Sequence, residues 1–131
     1  MRTGDPGYTI PHDAEEEFAW ASLILGDPLL AQRISDILAF VRAIRNQPSH
    51  SSAPVALAAR GRLTVPALFA FAASEEIGTL YLAGGLISFR NLLESEMYAQ
   101  PLANFAWDLL RRQTSPCWRA SLRRGAFTWR A

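Results

Sequence analysis

Residues 53–86, APVALAARGRLTVPALFAFAASEEIGTLYLAGGL, decide the fold. Pro54 to Ala59 is a short apolar run with Val and Leu, which reads as a strand buried on both faces. Gly61 marks a turn. Pro66 suits a first helical turn, and Thr64 just upstream is a candidate N-cap. Ala67 to Ala73 is apolar on every side, so this helix is expected to be covered all round. Gly78 is read as its end, and Thr79 to Ala83 resumes strand character. A strand, a helix and a strand within about 30 residues form the βαβ unit of a parallel sheet, with a right-handed crossover.

Upstream, Asn46 to Ser52 is a polar linker around Pro48. Before it, Leu30, Ile34, Ile37, Leu38, Val41 and Ile44 recur at helical spacing, giving a helix with one face for the sheet. Asp27 before Pro28 supplies its start by a side-chain cap and a pre-set φ. An earlier helix is expected from Asp13 to about Gly26. Asp13 and Glu16 resemble a capping box, and Phe18, Leu23 and Ile24 are its apolar set. Residues 1–12 hold Gly4, Pro6, Gly7 and Pro11 and are expected to be flexible.

Downstream, Gly84 and Gly85 punctuate the second strand, and Leu86 to Tyr98 reads as a turn and a short helix. Pro101 opens another helix, Leu102 to Arg112, with Phe105, Trp107 and Leu109 as packing residues. From Gln113 no period is sustained, and Trp118 and Trp129 are scattered among Arg residues. The expected organisation is a flexible segment 1–12, a partial domain 13–112 and a disordered basic tail 113–131.

The 131 residues suffice for one modest core, and with half of them hydrophobic, wholesale disorder is excluded. The net charge of +1 is too small to imply nucleic acid by itself. Every basic residue is Arg, which reflects a GC-rich coding sequence more than a recognition surface. Cys117 is alone, so no internal disulfide and no cysteine zinc cluster can form. Arg2 to Pro11 is polar and lacks the apolar region of a signal peptide, so a cytoplasmic protein is expected. No run is long enough to span a bilayer.

The order DILAFVRAI, VALAARG, VPALFAFAA and TLYLAGGLISF resembles the α/β-hydrolase superfamily, and is most similar to its acetyl-xylan-esterase-like and prolyl-oligopeptidase-like branch. The resemblance covers about Glu15 to Arg112, the middle of such a domain. It implies a partial, three-layer α/β-hydrolase-like fragment: a short parallel sheet with flanking helices. It also implies that the turn after the first strand is the nucleophile elbow, G-x-S-x-G, whose serine sits exposed at a sharp strand-to-helix turn. Ala59, Arg60, Gly61, Arg62 and Leu63 occupy that position. Gly61 stands where the serine belongs, and both flanking glycines are replaced. Without oxygen or sulfur at the apex, acyl-enzyme chemistry has no nucleophile. The catalytic His of the fold follows the Ser in sequence, whereas His12 and His50 both precede Gly61. A catalytically incompetent remnant of an esterase-type hydrolase is therefore expected, with no catalytic residue, no cofactor and no metal. The remaining strands would be lost to a frameshift near Arg112. Regrouping the allowed codons of Arg112 to Ala131 by one base permits an Asp-Leu-Pro turn, a short helix and an apolar strand.

Other residues admit a sharper and a plainer reading. Arg60, Gly61 and Arg62 at a helix N-terminus could hold an anion, but the phosphate-binding glycine pattern is missing, and a turn with two solvated Arg side chains explains them. Glu15 to Glu17 are a charged first helical turn in preference to paired catalytic carboxylates. His12 and His50 lie in polar loops without a second ligand at metal spacing. Ser74 and Ser88 fit a helix end and a post-strand turn. The Arg and Trp residues of the tail have the composition of a stacking nucleic-acid segment, which a shifted frame also explains. Neither nucleic acid nor membrane is expected as a partner, and exposed sheet edges are expected to drive self-association. The alternatives are an interaction module docking through apolar helices and the basic tail, and a hydrolase fragment completed by another chain.

Overall fold

The computed structural model describes residues 14–49, 52–86, 88–94, 100–109 and 126–130. They form α1 (Ala14–Ile24), α2 (Leu29–Arg45), β1 (Val55–Arg60), a 3-10 turn (Gly61–Leu63) and α3 (Thr64–Ala73). Then come β2 (Ile77–Ala83), α4 (Phe89–Glu94), a 3-10 turn (Leu102–Asn104) and β3 (Ala126–Arg130). The strands are parallel in the order β1-β2-β3. The expected βαβ unit is present as β1–α3–β2, and the architecture is a small α/β one.

The core lies on one side of the sheet. Val41 of α2 and Ala67, Ala70 and Phe71 of α3 cluster with Ile77, Leu80 and Leu82 of β2. Ile34, Ile37 and Leu38 pack against them, so the helical spacing read for α2 does describe the face that meets the sheet. Leu80 is fully buried, worth about 1.5–3 kcal/mol.

The opposite face of the sheet is open. Val55, Leu57 and Ala59 are half-buried toward the core, while Ala56, Ala58 and Arg60 alternate with them and are exposed. Thr79 and Tyr81, their register partners, are exposed too. The described residues thus form two layers, and β1 alternates half-buried and exposed residues, which corrects the expectation of a first strand buried on both faces. The reason is topological. The one crossover that lies wholly within the described residues, β1–α3–β2, places α3 on the core face, and α2 packs against α3 there. For the same reason α3 is not covered all round: Ala72 and Ala73 at its end are exposed.

Several boundaries differ from the sequence reading, each for a local reason. Thr64 lies inside α3, and its hydroxyl donates to the Gly61 carbonyl (2.7 Å) in place of capping the helix. Gly78 does not end α3, which stops at Ala73; it lies within β2, at a register shift opposite Val55 and Ala56. Asp27 does not cap α2. The Leu29 amide donates instead to the Ser22 hydroxyl of α1 (2.9 Å), a tertiary cap. The apolar set read for α1 points the wrong way: Ala19 and Ser22 are buried, while Phe18 and Ile24 are 69% and 78% exposed. The helix expected over Leu102 to Arg112 is broken: Leu102–Asn104 is a 3-10 turn, Phe105 turns extended, Asp108 takes a positive φ of 62°, and helix resumes at Leu109, where the described residues end.

The tail expectation divides. Residues 113–125 lie outside the described residues, but Ala126–Arg130 is a strand paired with Thr79–Ala83, not disordered chain. Residues 1–12, Asp13, His12, His50, Cys117 and Trp118 also lie outside them.

Candidate functional site at the first strand-to-helix turn

Ligand sites of parallel sheets gather at the C-terminal strand ends. Here β1 ends at Arg60, and the chain reverses through Gly61 at φ 59° into the 3-10 turn and α3. A left-handed residue between a parallel strand and a helix makes a sharp bend with the shape of an elbow. A Cβ built on Gly61 meets nothing within 4 Å, so the apex opens onto empty space. Glycine takes this φ without penalty.

Three attachments hold the turn. The Thr64 hydroxyl bonds the Gly61 carbonyl from inside the helix. Gly85, beyond β2, sits so close to Thr64 that an added Cβ would lie 2.3 Å from its Oγ1, so the chain leaving β2 abuts the first turn of α3. The Asn104 amide donates to the Arg62 carbonyl (2.9 Å) and to Gln100 Oε1 (3.0 Å). Asn104 is fully buried, so the loop after α4 is pinned beneath the turn.

A charged cluster flanks it. Arg62 Nη1 donates to Glu15 Oε2 at 2.8 Å, and Arg33 Nη2 lies 3.0 Å from Glu15 Oε1. The second contact lacks hydrogen-bond alignment, so Glu15 Oε1 and Arg33 Nη1 are buried with charge opposite but no directed partner. The Arg62 side chain is 56% exposed, so its half of the cluster adds at most about 1 kcal/mol. Glu16 accepts from the Leu102 amide (3.2 Å). The Glu run is therefore neither a catalytic pair nor simply a solvated first turn: Glu15 and Glu16 tie α1 to the elbow and to the loop beneath it.

This geometry positions a turn without arming it. Of the residues singled out in the sequence, Ala59, Arg60, Gly61, Arg62 and Leu63 come together, but they bring no nucleophile or base. Arg62 is engaged by Glu15, and Arg60 is exposed. Ser74 lies at the far end of α3, where its Oγ accepts from the Glu76 amide (3.2 Å). That end holds an open cleft of about 600 Å³ lined by Phe71, Ser74, Glu75 and Ile77, on the opposite edge of the sheet from Gly61. Among the described residues no group of three His, Cys, Asp or Glu side chains could hold a metal, and no helix is long and apolar enough to cross a membrane. Arg33 and Asn104 escaped the sequence reading. The signal for Asn104 was a single amide in the otherwise apolar stretch PLANFAW. No family model, curated protein or solved structure matches the chain.

Proposed function

We propose that this chain is a catalytically incompetent portion of an α/β-hydrolase-type domain, descended from an esterase-like enzyme, whose elbow keeps its backbone and has lost its nucleophile. The observation that supports it is Gly61 at φ 59°, between a parallel strand and its crossover helix, at the C-terminal edge of the sheet. A serine hydrolase needs an oxygen at that apex and a base within hydrogen-bond reach of it. Gly61 supplies neither.

The test is hydrolysis of short acyl nitrophenyl esters. The purified chain should show no turnover above its Gly61→Ala variant. Gly61→Ser should add no more than background, because a serine alone has no base. A product burst abolished by Gly61→Ala would overturn the reading. Sequencing the coding DNA across Arg112 tests the frameshift separately: an intact hydrolase continuation in the next frame supports it, and its absence removes it.

A second reading, an interaction module, is favoured by the exposed apolar side chains of α1, Phe18, Trp20 and Ile24, and of Leu25 just beyond it.

A further inference from the structure

We propose that the open face of the sheet is a docking surface for α1 of a second copy of this chain. This does not depend on the hydrolase reading.

Among the described residues, two surfaces on the same molecule have no partner. One is the sheet face opposite the core, where Ala56, Ala58, Thr79 and Tyr81 are exposed and Arg60 closes the C-terminal end. A parallel sheet is ordinarily covered on both faces, and small side chains let a helix approach closely. The other surface is the outward side of α1. Trp20 and Ile24 are 58% and 78% exposed there, with Glu17 one turn before Trp20. At about 100° per residue these three fall within about 60° of one another. Large apolar side chains on one surface therefore meet Ala56, Ala58 and Thr79 beside the single Tyr81 ring on the other, and an acid meets a base.

The spacings agree as well. Glu17 to Ile24 rises about 10.5 Å along the helix axis at 1.5 Å per residue. Arg60 back to Ala56 covers about 13 Å at 3.3 Å per residue. With the helix antiparallel to β1, Glu17 lies over Arg60, Trp20 over Ala58 and Ile24 over Ala56. The mismatch is within the reach of the Arg side chain. Neither Glu17 nor Arg60 belongs to the Glu15 cluster, so the pairing breaks nothing inside the monomer. Each copy carries one helix surface and one sheet surface. Reciprocal exchange closes a two-fold dimer, and one-way docking extends into a chain of copies. The unpaired edge of β1 is a weaker candidate, since it accepts any extended strand and specifies none.

Sedimentation velocity on the full chain over a micromolar dilution series tests this, with circular dichroism confirming that each variant is folded. The wild type should associate reversibly. Trp20→Glu and Ala58→Arg should each weaken association about tenfold or more. An equimolar mixture of these two variants should associate again, because each retains the surface the other has lost. Glu17→Arg should weaken association, and adding Arg60→Glu to it should restore it. A wild type that stays monomeric throughout overturns the proposal. So does association that survives Ala58→Arg, the result expected for pairing at the β1 edge or between two α1 helices. Failure of the mixture to recover overturns it as well. None of these outcomes bears on ester hydrolysis, so the two readings fail separately.

Discussion

Two glycines near the elbow are required for different reasons, and substitution separates them. Gly61 needs its positive φ but has empty space where a Cβ would go. Gly61→Ala should therefore cost about 1–2 kcal/mol of backbone strain. An alanine at Gly85 meets the Oγ1, Cβ and Cγ2 of buried Thr64, all within 2.8 Å. That overlap forces the β2 end away from α3, at a cost of about 1–3 kcal/mol. Urea unfolding should show Thr64→Ala failing to rescue Gly85→Ala, because the Thr64 Cβ alone stands 2.7 Å from the new atom. Wild-type stability of Gly85→Ala itself would mean that the close approach is not what Gly85 provides. Asn104 belongs at this scale too. Its amide bridges the Arg62 carbonyl and Gln100 from a fully buried position, so a single polar side chain registers the loop against the elbow.

Among elements, β3 departs most from what local pattern implied. A tail produced by a shifted frame would not have been selected to pack, and its removal should then leave the melting temperature unchanged. Ala126–Arg130 nevertheless pairs with Thr79–Ala83, which makes β2 the central strand. Deleting residues 126–131 exposes that edge of β2 and should lower the melting temperature by several degrees, about what 1–2 kcal/mol costs a domain of this size. An unchanged melting temperature would return the tail to the status of unselected sequence. The start of α2 shows the same dependence on a distant partner. Its first amide is capped by Ser22 of the preceding helix, seven residues back, and not by adjacent Asp27.

At the scale of the molecule, among the described residues, one covered face and two outer strands paired on one side only leave the sheet unevenly protected. β2 has a neighbour on both sides, whereas among the described residues β1 has one. Native-state hydrogen exchange should show slow amides along β2 and an alternation along β1: slow where the N–H meets β2, fast where it faces outward. Uniform protection along β1 would show its edge covered by another chain. Trp20, Ile24, Leu25 and Trp107 are each more than half exposed.

The βαβ unit, the parallel sense of β1 and β2, and the core face of α2 were legible in the sequence. Each follows from spacing within one segment: short apolar runs around a turn, and Ile34, Ile37, Leu38 and Val41 at helical intervals. The turn at Gly61, between a strand and the helix that holds Pro66, was legible too. Only the tertiary structure decided which surfaces are covered. Phe18 and Ile24 are as apolar as any core residue, yet α1 turns them outward because Glu15, Glu16 and Ser22 tie its other side to the elbow, the loop beneath it and α2. Ala56 and Ala58 are exposed because every described helix packed on the sheet lies across the opposite face. Periodicity records which residues share a side of one element. Which side meets a partner depends on crossovers and polar ties between residues far apart in sequence, and no local window contains them.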